Sequence, residues 1–193
     1  MILPATAADN GGLCMPCKNG TRQQIEESKA LNKKLEEYDP VRELWLSLVH
    51  RVHDTAEGFD GLTDDEKLYF AVCILEGEVY NGGFHQFFSN SSGELFEHVV
   101  SGLTKLNAQN SLKLLRHSAK VLFGDTAPPV DRQERWELMK HYPEDVQEPL
   151  PEWVSELGKL DETYWDDPDN LGELLDEFAK DTKLLKPFER PET

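Results

Sequence analysis

The sequence predicts an all-α fold, an irregular single-domain bundle of about eight helices. Apolar residues recur every three or four positions over most of the chain, which is the spacing of helices with one buried face. No segment alternates apolar and polar residues over a useful length, and no hairpin dipeptide separates β-branched runs. These observations favour helices and argue against a sheet.

Composition divides the chain into four segments. Residues 1–20 contain a double glycine and two prolines, so we expect a flexible tail there. Residues 21–39 carry a thin apolar stripe, which predicts a peripheral helix that packs on the domain edge or on a second subunit of a homodimer. Residues 40–186 have the strong helical period and form the predicted domain, and residues 187–193 form a C-terminal tail.

The domain is expected to begin with a helix at Pro40, because proline suits the first helical turn. Thr63 and Glu66 then have the spacing of a capping box, in which each side chain bonds the backbone N–H of the other residue. The helix that they start has apolar residues on two faces. We therefore expect it at the centre of the fold.

The central helix is expected to break at Gly82 and Gly83, because glycine accepts the positive φ at which helices stop. Residues 84–88 are predicted to form a short helix or turn whose phenylalanines fill the core. A later helix is expected to place Trp136 and Met139 on its apolar side. The later helices are predicted over 95–106, 112–122, 131–142, 152–165 and 170–185.

The charge of the chain limits its partners. The 37 acidic and 20 basic residues give a net charge of −17, which repels duplex nucleic acid and anionic membranes and attracts basic proteins. No apolar run reaches the roughly 18 residues of a membrane span. The first residues lack the basic start and long apolar stretch of a signal peptide, so we expect a cytoplasmic protein.

The acidic residues are concentrated near the end of the chain. Residues 144–181 hold 14 acids and two lysines. Helical carboxylates three or four positions apart lie about 5–6 Å from each other, similar to neighbouring phosphates. The same pattern is also typical of a solvated surface, and Asp161 and Asp169 are alternatively helix caps. The expected partner-binding acids are Glu152, Glu156, Asp161, Glu162, Asp166, Asp167, Asp169, Glu173, Asp176 and Glu177.

The string from Glu78 to Gly93 joins a helix end, a double glycine, an aromatic cluster and an Asn-Ser-Ser-Gly sequence. It closely resembles the signature of the bacterial DNA-mimic protein family. Further likenesses at 129–136 and 160–171 extend the resemblance over about residues 40–181. The motif positions that we interpret as structural are Asn81, Gly82, Gly83, Phe84, Gln86, Phe87, Phe88, Asn90 and Gly93.

The resemblance implies an all-helical fold. In the best-known member of that family it also implies an acidic surface that imitates DNA and occupies the DNA-binding face of a transcription factor. We therefore expect a non-enzymatic protein that binds a basic protein, such as a DNA-binding transcription factor, and does not bind nucleic acid directly. The alternative is an immunity-like or antitoxin-like protein that blocks a basic toxin, because it would also bind a basic partner through its acidic residues.

An enzyme is a further alternative. Glu78, Asn81, His85 and Gln86 lie close together in sequence, and a histidine and a glutamate that share a pocket form an acid/base pair. Glycines that break a helix and polar residues that satisfy the freed backbone groups explain the same residues without catalysis. The string contains no nucleophile elbow, phosphate loop or metal motif.

Cys14 and Cys17 form a lone C-x-x-C pair. A structural zinc site needs four ligands, and the nearest second pair, His50 and His53, is far along the chain. We therefore predict no metal and no cofactor, with the two cysteines as weak candidates only. Cys73 lies inside an apolar helix and is expected to be a small core residue.

Overall fold

The computed structural model describes residues 12–13, 15–26, 29, 39–143 and 149–186. The chain divides into two compact units, one of residues 1–40 with 188–193 and one of residues 41–187. The described part of the first unit contains a short helix at Met15–Lys18, which the sequence did not predict, and helical residues at 22–26. Most of the predicted N-terminal tail, the later part of the helix predicted over 21–39, and the C-terminal tail lie outside the described residues.

The regular secondary structure of the second unit, within the described residues, is α-helical, with two 3₁₀ turns at Gly58–Gly61 and Ser91–Leu95. No strand occurs among the described residues, and the all-α prediction is confirmed. None of the described helices combines the length and the apolar character that crossing a membrane requires. The helices are α1 (Pro40–Asp54), α2 (Asp64–Ser89), α3 (Phe96–Lys105), α4 (Gln109–Phe123), α5 (Arg132–Leu138), α6 (Glu152–Trp165) and α7 (Leu171–Asp181).

Helix α2 lies at the centre of this unit, as the sequence predicted. It packs against α3, α6 and the 3₁₀ turn that follows it. Its start is the expected capping box: Glu66 N donates to Thr63 Oγ1 at 3.4 Å, and Thr63 N donates to a Glu66 carboxylate oxygen at 2.8 Å. Phe84, Phe87 and Phe88 are completely buried, so the aromatic cluster of the motif forms part of the core.

The double glycine kinks α2 and does not end it. Gly83 has φ +75° and ψ −179°, a backbone conformation that is essentially restricted to glycine. The chain then resumes a helical course and continues to Ser89. The sequence therefore located the break correctly, and residues 84–89 form a second helical segment.

Helix α5 is shorter than predicted, because it ends at Leu138 and not at residue 142. Asp131 caps it through a 2.9 Å hydrogen bond from Glu134 N. Met139 is buried as expected, but the prediction that Trp136 packs inward is wrong, since 47% of its surface is exposed. The inward positions of this helix are Arg135 and Met139, four residues apart, so the intervening tryptophan projects away from the core.

Candidate functional site

Helix α6 has two chemically different faces. Its inner side contributes the buried residues Leu157, Leu160 and Tyr164. By helical spacing the opposite side carries the exposed acids Glu152, Glu162 and Asp166 together with the half-buried Glu156. Lys159, the one lysine of the helix, lies on that same outer side. The outer side of α6 is therefore strongly acidic.

Helix α7 repeats this arrangement on a smaller scale. Leu171, Leu175 and Ala179 are buried. Glu173 and Glu177 are exposed and lie one helical turn apart, with the half-buried Asp176 beside them. From residue 152 to residue 181 the chain holds eleven acids and two lysines. We call the outer carboxylates of α6 and α7 the acidic surface; they are Glu152, Glu156, Glu162, Asp166, Glu173, Asp176 and Glu177.

Asp161 does not belong to the acidic surface. The prediction that it binds a partner is wrong, because its side chain is buried. Only 7% of its surface is exposed, and its Oδ1 accepts a 2.8 Å hydrogen bond from Phe84 N. Burial raises the pKa of this carboxyl, while the Phe84 N–H partly lowers it. The side chain lies on the inner face of α6, where it serves the core.

Asp167 and Asp169 are also occupied by backbone groups. Asp167 Oδ1 accepts from Leu171 N at 2.9 Å at the start of α7. Asp169 accepts from Ser111 N at 2.6 Å and from Asn110 N at 3.3 Å, so it caps α4 from a distant part of the chain. Burial opposes ionisation of Asp169, but these hydrogen bonds outweigh it and hold the pKa below its usual value.

The remaining seven predicted acids form the acidic surface. Glu156 Oε1 and His117 Nε2 are 2.8 Å apart and form a hydrogen bond. Within the part of the chain that the structure describes, none of the seven forms an ion pair with a lysine or an arginine. Clustered carboxylates that form no ion pair with a lysine or an arginine repel each other and produce a strong negative potential.

The break in α2 is closed by two side chains of α6. Asp161 accepts from Phe84 N, and Trp165 Nε1 donates to the carbonyl oxygen of Val79 at 2.9 Å. These two side chains are four residues apart and therefore lie on the same side of α6. A Cβ on Gly83 would come within 2.4 Å of the Asp161 carboxylate. The kink thus fixes which side of α6 faces inward, and so which side carries the acidic surface.

The polar side chains of the motif form hydrogen bonds with one another. The expectation that Asn81, Gln86 and Asn90 use their side chains to satisfy freed backbone groups is therefore wrong for the bonds described below. Glu78 is their common acceptor, with hydrogen bonds from Gln86 Nε2 at 2.6 Å, Asn90 Nδ2 at 3.0 Å and Ser92 Oγ at 3.0 Å. Asn81 Nδ2 donates to Gln86 Oε1 at 3.1 Å. The sequence contained these groups, but it did not show that one carboxylate joins them.

Arg135 is a structural residue that the sequence analysis missed. Its guanidinium is completely buried and donates to four carbonyl oxygens, at Phe88 (2.7 Å), Asn90 (2.7 Å), Pro129 (2.8 Å) and Val130 (2.8 Å). Two of these carbonyls lie at the C-terminal end of α2, where helices leave such groups unpaired. A signal was present in the sequence, since the arginine lies four residues before Met139, which helical spacing placed on the apolar side.

Gly93 of the motif has a specific reason to be glycine. A Cβ at this position would lie 2.4 Å from Arg135 Nε. The motif and α5 are therefore joined by close packing of the guanidinium against the backbone of the 3₁₀ turn.

The four residues of the enzyme alternative do not share one site. Glu78, Asn81 and Gln86 are linked by hydrogen bonds. The His85 ring instead lies against Tyr142, with centroids 4.4 Å apart, and its Nε2 is buried with no hydrogen-bond partner among the described residues. Burial lowers the pKa of this imidazole.

A cavity of about 260 Å³ lies between the end of α1, the first 3₁₀ turn, α2 and the second 3₁₀ turn. Glu78 is the one residue of the enzyme alternative that lines it. Apolar side chains, including Phe59, Phe70 and Ile74, form much of its wall.

Three of the four residues considered for zinc lie within the described part of the chain. Cys14 lies outside the described residues, and Cys17 is exposed. His50 is hydrogen-bonded to Asp54 at 2.8 Å. Among the described residues, no group of three or more His, Cys, Asp or Glu side chains is placed to hold a metal ion. Cys73 is half-buried against the core, where burial raises its thiol pKa to about 12.

The fold and these contacts define an all-α acidic protein in which a kinked central helix orients α6, the first of two acidic helices. A family model described as DMP19-like protein matches residues 60–182, which is more than half of the chain. The chain therefore belongs to the DMP19-like protein family. No curated protein and no solved structure matches the chain. The match includes the central motif, α6 and α7, the parts that carry the resemblance and the acidic surface.

Proposed function

We propose that this protein is a DNA mimic, whose acidic surface occupies the nucleic-acid-binding face of a basic protein such as a transcription factor. The observation that carries the proposal is the two-sided construction of α6. Asp161 and Trp165 bind the break of α2, while Glu152, Glu162 and Asp166 remain exposed on the other side. Membership of the DMP19-like family supports the same function.

The arrangement of the carboxylates suits a phosphate-binding face. Glu162 and Asp166, and likewise Glu173 and Glu177, are four residues apart on helices, which separates their Cβ atoms by about 5–6 Å. Each strand of duplex DNA carries one charge about every 3.4 Å along the axis, so the linear charge densities are comparable. Lysine and arginine side chains that bind phosphates also bind carboxylates, with charge-assisted hydrogen bonds in both cases.

Rigid placement matters for this function. Residues on packed helices need no ordering of their backbone on binding, so the entropic cost of ordering is limited to the exposed side chains. The inner face of α6 is anchored by Leu157 and Tyr164, each at most 1% exposed, and that of α7 by Leu171. Complementary charge then accelerates association and makes it sensitive to salt.

The experiment is a pull-down from extract of the native cells, with the full chain as bait and elution by a salt gradient. We expect a basic DNA-binding protein that is released by salt and displaced by duplex DNA. Retention of no basic protein at low salt would contradict the proposal, as would a retained protein that DNA fails to displace.

A matched pair of variants tests whether the positions of the charges matter. The first replaces Glu162, Glu173 and Glu177 by glutamine, and the control replaces Glu43, Glu97 and Glu134, which are exposed elsewhere. Both change the net charge by the same amount. We expect affinity for the captured protein to fall by about 10–100-fold in the first variant and by less than about threefold in the control. Equal losses would show that general charge and not the acidic surface accounts for binding.

A further inference from the structure

The cavity beside Glu78 is separate from the acidic surface, and its lining has a definite chemical character. Phe59, Phe70 and Ile74 contribute apolar wall. Glu78 and Glu94 contribute two carboxylates, and His53 is the only other titratable side chain among the described residues that line it. Sites for drug-sized ligands enclose roughly 300–1,000 Å³. A cavity of about 260 Å³ suits a smaller molecule.

Glu78 is held in a fixed position in the cavity wall. Three side chains of the motif, Gln86, Asn90 and Ser92, donate to it. A carboxylate has about four acceptor positions, so this one retains capacity for a further donor. A carboxylate whose orientation is already fixed binds a ligand without losing side-chain freedom.

We infer that this cavity binds a small organic cation, with the ammonium or amidinium group at Glu78 and Glu94 and an apolar body against Phe59, Phe70 and Ile74. Two carboxylates select a positive charge, and the apolar wall selects a ligand with a hydrocarbon or aromatic part. The motif then has a second role besides forming the helix break, because its donors set the position of the carboxylate that binds the cation.

Two cations of the protein lie near this cavity and do not fill it. Lys67 Nζ is 5.8 Å from the centroid of the Phe59 ring. Arg135 interacts electrostatically with Glu94, but its hydrogen-bond donors go to backbone carbonyl oxygens. Because Lys67 lies over one ring of the cavity wall and its charge repels another cation there, its replacement by glutamine is expected to tighten binding of the cation.

The test is an NMR titration of the isotope-labelled full chain with benzylamine at constant ionic strength. Benzyl alcohol and benzoate are matched probes that differ in charge. We expect saturable shifts of amides around Ser91 and Glu94, with benzylamine bound at least about tenfold more tightly than benzyl alcohol. Equal affinity for the amine and the alcohol would overturn the inference, and so would amine shifts confined to α6 and α7.

Two glutamine variants locate the site without disturbing the core. Glu94→Gln removes an exposed carboxylate of the cavity, and Glu97→Gln removes an exposed carboxylate of α3 that does not line it. We expect the first to weaken benzylamine binding by about 5–10-fold and the second to leave it unchanged. Equal weakening by both variants would show that benzylamine responds only to net charge, which overturns the inference.

Discussion

Carboxylates have opposite environments in two regions of this protein. At the kink of α2, Glu78 accepts three hydrogen bonds and Asp161 is buried against a backbone N–H. On the acidic surface, Glu173 and Glu177 are exposed and have no lysine or arginine partner among the described residues. The same chemical group thus stabilises the fold in one region and remains available to a partner in the other.

Because of this difference, we expect substitutions in the kink region to change stability and substitutions on the acidic surface to change binding. Replacement of a group in the kink region leaves buried donors or acceptors unpaired, which costs free energy of unfolding. Replacement of an exposed carboxylate such as Glu177 removes repulsion from its neighbours and breaks no hydrogen bond among the described residues, so stability is expected to change little. Variants in the two regions should therefore affect different measurements.

The largest effect is expected at Arg135. Its replacement by alanine leaves four carbonyl oxygens without their donor and opens a cavity, so the free energy of unfolding should fall by about 3–5 kcal/mol. Chemical denaturation followed by circular dichroism measures this loss. Arg132 is the control, because it is exposed and donates one 3.2 Å bond to Ser89 O. If Arg132→Ala were equally destabilising, the buried guanidinium would not be what secures α5.

A smaller loss is expected at the kink itself. Gly83→Ala places a side chain at φ +75° and forces a Cβ against Asp161, so stability should fall by about 2–4 kcal/mol. Gly77→Ala, in the same helix with no atom near the added Cβ, should raise stability by up to about 1 kcal/mol. Thermal and chemical unfolding of both variants tests the contrast. Similar effects at the two glycines would mean that the kink does not require its conformation.

The pH dependence of stability should identify Glu76. Burial, with a contribution from the charge of Asp167, raises the pKa of this carboxyl from its usual 4.5 to about 7. Because the folded state then binds more protons than the unfolded state, this contribution is fully present below pH 4.5 and is lost as pH rises to about 7.

We expect this contribution to be about 1–3 kcal/mol, and Glu76→Gln should remove it. Unfolding free energies of both proteins, measured across this pH range, give the difference that isolates Glu76, since the other groups titrate in both. A constant difference between the two proteins over the range would show that Glu76 titrates normally.

The smallest effect on stability is expected on the acidic surface. The double variant Glu173→Gln/Glu177→Gln removes a like-charge pair one turn apart and also removes a favourable acid from the first turn of α7, so the two effects oppose each other and the free energy of unfolding should change by at most about 0.5 kcal/mol. Denaturation at low salt measures this change. A large loss of stability would mean that these carboxylates maintain the fold, and the contrast between the two regions would fail.

Local signals in the sequence determined most of the helices. The capping box at Thr63 and the glycine break in α2 both act within a few residues, so their effects were readable from spacing alone. The helix predicted over 152–165 has the observed bounds for the same reason. The acidic character of α6 and α7 is likewise fixed by composition.

Only the tertiary structure decided which polar groups meet. Asp161 binds Phe84 N across 77 positions of the chain, Asp169 binds Ser111 N across 58, and Arg135 binds Phe88 O across 47. Periodicity assigns a residue to a face of its own helix, but the buried group that it contacts depends on how distant helices pack. The sequence by itself therefore specified an acidic all-α protein with a broken central helix, and the packing of α6 onto that break decided which carboxylates support the fold and which face outward.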